Sequence, residues 1–179
     1  VLSKAEKDST PSKSLTISIG SCCRAIENGT LSDSDFAKFL REVHDHIVTK
    51  DTAIRSVLLR SIRYGTKTSD ACQLILDQGI HILVILSLEK EPDYSWERMQ
   101  ALKLMKKFLD LSPKLFPIGF ARSLVAIAAE KGDNFRRVAL ETLRELGIRN
   151  PAIAHEADAF RILFDAVIDP TTSELSESI

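Results

Sequence analysis

One pattern of apolar spacing returns along the chain in register, and few folds accommodate that. Val57, Leu58, Tyr64 and Gly65 are matched 82 positions later by Ala139, Leu140, Leu146 and Gly147. Between them, Ala101, Leu102, Met105 and Phe108 precede Ala139, Leu140, Leu143 and Leu146 by 38 positions, and Pro113 precedes Pro151 by the same offset. Steps of this size fall in the range of two- and three-helix repeats, about 40–47 residues. Such a unit cannot bury its apolar face alone, so successive units must stack. The spacing therefore predicts an all-α, armadillo/HEAT-like right-handed helical solenoid over residues 13–170. Its units are expected near 51–92, 93–131 and 132–169, after an opening helical pair. Corners are expected at Gly65, Gly79 and Gly147, with Leu58, Leu102 and Leu140 sharing one buried repeat position. A globular bundle would also reuse a period of 3.6, but it would not repeat the glycine and proline punctuation.

Composition fits packed helices. Seven glycines and 6% aromatic residues in 179 suit them better than a turn-rich sheet. A formal charge of −1 gives no whole-molecule field that would hold nucleic acid or an anionic membrane. The most apolar run, Ile80 to Leu88, is far short of the roughly 20 residues of a membrane span. Residues 1–12 and 171–179 are polar and read as flexible tails. The chain begins with Val1 and shows no charged-then-apolar leader, so it reads as a segment of a longer protein. Three cysteines, two of them adjacent at Cys22-Cys23, make no disulfide framework and suit a reducing, cytoplasmic setting.

Motifs that carry chemistry are absent from the sequence. There is no phosphate-binding GxxxxGK[ST], no GxGxxG, no GxSxG and no HExxH. His44 and His46 lie two apart, on opposite sides of a helix, and Cys72 lacks a CxxC partner. Acidic pairs such as Asp33 with Asp35, or Glu89 with Glu91, sit beside loop signals and read as caps and solvated surface. No catalytic residue, cofactor or metal is expected. Trp96 is expected to pack the start of a helix, and Phe116-Pro117 to form a packed helix start.

One pattern stands out for binding. From Thr52 to Ser69 the chain carries Arg55, Arg60, Arg63 and Lys67 and no acid, and Arg60, Arg63 and Lys67 share a helix face. Arg63 aligns with Lys107, and Arg98 with Arg136, so stacking could carry positive charge from unit to unit. A solvated face is the ordinary role of such a stripe; a continuous ladder would instead suit an acidic protein segment. Arg60, Arg63, Lys67, Lys107 and Trp96 are the candidate partner-binding residues.

Two resemblances add to this reading. Asp70 to Leu86, with Asp77-Gln78-Gly79 at its centre, resembles the last helix of an armadillo repeat running into the first helix of the next. At the corresponding corner, Ala157-Asp158-Ala159 places Ala159 where the glycine belongs. From Arg55 to Asp169 the chain is similar to the amino-terminal region of the Rictor family. The likeness rests on Leu59-Arg60-Ser61-Ile62-Arg63-Tyr64, Glu97 to Lys107, Ser112-Pro113-Lys114-Leu115-Phe116-Pro117 and Ser123-Leu124-Val125-Ala126. That resemblance implies a non-catalytic scaffold of target-of-rapamycin complex 2. The implied partners are the target-of-rapamycin kinase, a small β-propeller subunit and the stress-activated-kinase-interacting subunit. It also implies a cytoplasmic location, with any peripheral membrane contact made through the complex, and a role in growth and actin signalling. Two other readings stand beside it. A different armadillo or HEAT adaptor would ladder Asn and Trp along its inner helices, and this chain has one Trp. A helical nucleotide-binding module would respond to nucleotides or metals in a thermal-shift screen.

Overall fold

A computed structural model describes residues 13–29, 32–46, 51–89 and 95–168. The expected tails, the apolar Ile47 and the Pro92-Asp93-Tyr94 stretch lie outside the described residues. Among the described residues ten α-helices run in chain order: α1 Lys13–Glu27, α2 Asp33–His46, α3 Thr52–Gly65, α4 Ser69–Asp77, α5 Ile80–Leu88, α6 Ser95–Leu111, α7 Ile118–Ala129, α8 Arg136–Arg149, α9 Pro151–Glu156 and α10 Ala159–Ile168. A 3-10 turn, Pro113–Leu115, separates α6 from α7. No strand occurs among the described residues, so the expected all-α class holds.

Four of the helix starts among the described residues, those of α2, α3, α4 and α9, have a local cause. Ser32 Oγ accepts from the Asp35 amide while donating to the Asp35 carboxylate, a reciprocal cap on α2. Asp51 accepts from the amides of Ala53 and Ile54 at the start of α3, and Thr68 from that of Ala71 at the start of α4. The prolines 38 positions apart play one part. Pro113 opens the 3-10 turn and Pro151 opens α9, positions where a missing N–H is harmless. Asn150 caps α9 at the Ile153 amide and donates back to the Pro113 carbonyl at 2.9 Å. Ser112, beside Pro113, meets Ser69 at 2.9 Å. A line of polar contacts thus joins the starts of α4, the 3-10 turn and α9.

Packing follows the sequence offsets. α1 lies against α3, α3 against α6 and α6 against α8. Alongside, α2 touches α4, α5 touches α7, and α7 touches α10. Leu58, Leu102 and Leu140 are 1%, 3% and 3% exposed, as their shared register requires. Phe108, Phe116 and Phe120 form an edge-to-face triad with centroids 5.6–6.5 Å apart. Phe116 is buried there, which bears out its reading as a packed residue.

The corners depart from expectation in an instructive way. Gly79 has φ +69°, and α4 and α5 meet across it at 84°; this is the left-handed turn that glycine permits. Gly65 and Gly147, in contrast, make no left-handed turn: Gly65 ends α3 where the sequence placed the stop, while Gly147 stops nothing. Gly65 is the last helical residue of α3, and a Cβ there would stand 2.2 Å from the Phe36 ring. Gly147 lies inside α8, where a Cβ would stand 3.1 Å from Phe160. Both are sites of close approach by a neighbouring aromatic ring, and α8 ends instead at Asn150-Pro151. At the α9–α10 corner the left-handed residue is Asp158, φ +62°, not Ala159. The motif is shifted by one residue, and aspartate is among the few side chains that tolerate this region.

Candidate partner-binding surface

The expected basic stripe is only partly a helix face. Arg60 and Arg63 lie on α3, but Lys67 falls in the loop after Thr66. Its Nζ reaches the turn after α1, 3.7 Å from where a Cβ on Gly29 would sit. Arg60 is answered by Glu27 of α1, Nε to Oε1 at 3.0 Å. Tyr64 lies beneath both guanidinium groups, with Arg60 at 5.6 Å and Arg63 at 4.6 Å from the ring centroid. The Arg63 Nε is buried with no hydrogen-bond partner. The result is a compact basic-aromatic cluster at the junction of α1 and α3, with Glu27 offsetting part of its charge.

Lys107 and Trp96 both lie on α6. Lys107 is half-buried on α6 and lies close enough to Cys72 of α4 to oppose the effect of burial on that thiol. Burial still prevails and pushes the Cys72 thiol up to about 11. Cys23 is likewise raised, chiefly by burial, and neither thiol carries the depressed pKa of a nucleophile. Trp96 sits in the first turn of α6, eleven residues from Lys107, or about 16 Å along the axis. It is 55% exposed rather than packed at the helix start as expected. An exposed Trp beside a helix start has the amphipathic character of an interface anchor.

The ladder implied by aligning Arg98 with Arg136 turns inward. Arg98 is buried; its Nε donates to the Leu88 carbonyl at the end of α5, and its Nη2 meets the Asp133 carboxylate. Arg136 repeats the first of these bonds, Nε to the Ala128 carbonyl at 3.0 Å. Both guanidinium groups close the carboxyl-terminal end of the preceding helix, where positive charge is favoured. Arg55, read from sequence as part of the basic stretch, is also buried. It makes a two-pronged pair with Glu97 of α6, Nε to Oε1 at 2.9 Å and Nη2 to Oε2 at 2.8 Å. Sequence reasoning missed these two inter-helix pairs because nothing local distinguishes Glu97 or Asp133 from a surface acid; the offsets of 42 and 35 were the available signal. No group of three His, Cys, Asp or Glu side chains comes together for a metal among the described residues.

The surface is therefore marked by exposed charge and by the exposed rings of Tyr64 and Trp96. A family model described as the N-terminal region of the rapamycin-insensitive companion of mTOR matches residues 25–179. The chain belongs to this family. It is 36% identical over 139 residues to protein pianissimo A of Dictyostelium discoideum, covering 78% of this chain and 12% of that protein. It is 26% identical over 129 residues to the mouse rapamycin-insensitive companion of mTOR, covering 70% and 8%. With the target of rapamycin complex 2 subunit TSC11 of Saccharomyces cerevisiae it shares 24% over 147 residues, 82% and 10%. The chain thus spans about a tenth of the length of these relatives. Among the described residues of this Rictor-family segment, no single helix is long and apolar enough to cross a membrane.

Proposed function

We propose that the chain is a stretch of an armadillo-like solenoid in a scaffold subunit of a target of rapamycin complex 2. In this reading it has no catalysis of its own. It holds surfaces at a fixed separation so that the kinase and the other subunits of the complex meet their substrates in the cytoplasm. Membership of a family whose relatives include a named subunit of that complex carries the proposal. The succession α1, α3, α6, α8, each packed on the next, supports the stacked units near 51–92, 93–131 and 132–169. Arg60, Arg63 and Lys67, with Tyr64 beneath the two arginines, form the first docking surface for an acidic segment of a partner subunit, and Trp96 with Lys107 a second.

The test is co-purification of the kinase with the full-length protein at 0.05 M and roughly 0.3 M salt, where the screening length shortens to within a side chain's reach. Reversing the charges of Arg60, Arg63 and Lys67 together should weaken capture at low salt, with a smaller difference at high salt. Deleting residues 51–169 should abolish it. Undiminished capture by the deletion variant refutes the scaffold role, and unchanged capture by the charge-reversed protein returns the stripe to ordinary solvated surface.

A further inference from the structure

α3 and α6 lie side by side, and two polar contacts fix their register. Arg55 meets Glu97 near the two starts, an offset of 42, and Ser69 meets Ser112 beyond the two ends, an offset of 43. The helices therefore run parallel, with Arg60 level with Lys103 and Tyr64 level with Lys107. Behind them, α2 packs on α3 and α5 on α6. Gly65 faces the Phe36 ring of α2, and Arg60 lies five residues before it, about 140° around the helix. Arg98 reaches the Leu88 carbonyl of α5, and Lys103 lies five residues after it, again about 140° around. Arg60 and Lys103, both exposed, thus share one outward face. That face is short of acid. α3 has none, and both acids of α6 are engaged: Glu97 is buried against Arg55, and Asp110 stands 3.6 Å from Lys106 and 3.8 Å from Arg149. Glu27 answers Arg60, while Arg63, Lys103 and Lys107 have no carboxylate partner among the described residues. Gln100, three residues after Glu97 and so turned toward α3, is 2% exposed with no partner for its Oε1, and the buried Nε of Arg63 lacks one too.

We infer that the outward face shared by α3 and α6 is one binding track for an extended acidic peptide of a partner subunit, with Arg60 and Lys103 as its central cations and Trp96 as an apolar stop at one end. The inference rests on the scaffold reading above and joins its two docking surfaces into one, through Lys103. Charge complementarity sets the acidity of the occupant. Spacing sets its form. A docked amphipathic helix needs apolar anchors at i, i+3, i+4 and i+7, whereas beyond Trp96 and the half-buried Met99 this face presents cations and Tyr64. Along α6, Trp96 lies about 10 Å before Lys103, and Lys107 about 6 Å after it. An extended chain rises about 3.3 Å per residue, so acids at alternate positions match the second step, and an apolar residue three places before the first acid matches the other. The backbone of such a chain also carries the N–H and carbonyl groups that Gln100 Oε1 and Arg63 Nε lack, once those two side chains turn outward. Nucleic acid is a poorer match: a footprint of about 6–10 phosphates asks for more than four cations, one of them already answered by Glu27.

The test is fluorescence anisotropy of a fluorescein-labelled peptide with the full-length protein carrying this segment, at low salt. The peptide has two glutamates at alternate positions and a leucine three places before the first, with serine elsewhere. It should bind, and the same peptide with glutamine for both glutamates should bind about tenfold more weakly. Lys103→Glu and Trp96→Ala should each weaken binding about tenfold. Arg122→Glu, the same change of charge on α7 outside this row, should leave the affinity within about twofold. Lys103→Gln with an unchanged melting temperature should give a smaller loss than Lys103→Glu, which separates charge from folding. Equal binding of the two peptides, indifference to both Lys103 variants, or an equal loss in Arg122→Glu overturns the inference. So does polyuridylate RNA that displaces the labelled peptide at a lower concentration than the unlabelled peptide does. Kinase co-purification reports separately. If deleting residues 51–169 abolishes it while the peptide fails to bind, the track alone falls; if the peptide binds and the deletion variant still captures the kinase, the scaffold role alone falls.

Discussion

The α3–α6 junction and the outer side of α8 and α10 are made from the same ingredients and end in opposite conditions. At the first, an arginine and a glutamate have left water together and grip each other through two bonds in a dry seam. At the second, Arg161 faces Asp158 and Asp165 in the open, and apolar rings project beside it. Residue type does not separate the two. Burial does, because an ion pair in water is screened and loses side-chain entropy, whereas breaking a buried one strands a charge.

The sharpest way to break this comparison is to remove one partner on each side. Glu97→Ala should destabilise the chain by about 3–5 kcal/mol in urea melts, because a buried guanidinium would lose both of its bonds to the Glu97 carboxylate. Asp165→Ala should change stability by less than about 1 kcal/mol. Equal effects would mean that the α3–α6 seam is wetter than its geometry indicates. Next in size are the three register leucines. Leu58→Ala, Leu102→Ala and Leu140→Ala should each lose about 2–5 kcal/mol, with the spread reporting how far each site collapses around its cavity. A loss below ~1 kcal/mol at all three would show that the offsets do not mark equivalent core positions. The smallest contrast lies at the corners. Gly79→Ala should destabilise by about 1 kcal/mol because alanine resists positive φ, whereas Asp158→Gly should be nearly neutral, relief of backbone strain offsetting the loss of the Arg161 contact. Thermal melts of the two variants would separate these outcomes, and the reverse order would refute the one-residue shift of the second corner.

Much of the candidate surface was legible in part. Arg60 and Arg63 do meet, but over Tyr64 and beside α1, and neither appears in a count of charges along one helix. Glu27 is 33 residues from Arg60 in sequence, so its answering charge was invisible until the helices packed. Lys107 aligns with Arg63 in register, yet it is half-buried and its charge is felt at Cys72 of α4, since register fixes only a position along a helix.

The sequence by itself determined the helical class, the buried positions at Leu58, Leu102 and Leu140, and the left-handed turn at Gly79. Each of these is a local or periodic property: a 3.6-residue spacing, or a backbone angle that glycine alone adopts freely. Tertiary structure decided the rest. Gly65 and Gly147 owe their smallness to Phe36 and Phe160, rings brought in from other helices. Arg55 and Arg98 became buried anchors because Glu97 and Asp133 arrive from 42 and 35 residues away. A lone arginine in a sequence is a solvated charge by default, and only a carboxylate delivered by the fold can hold it out of water.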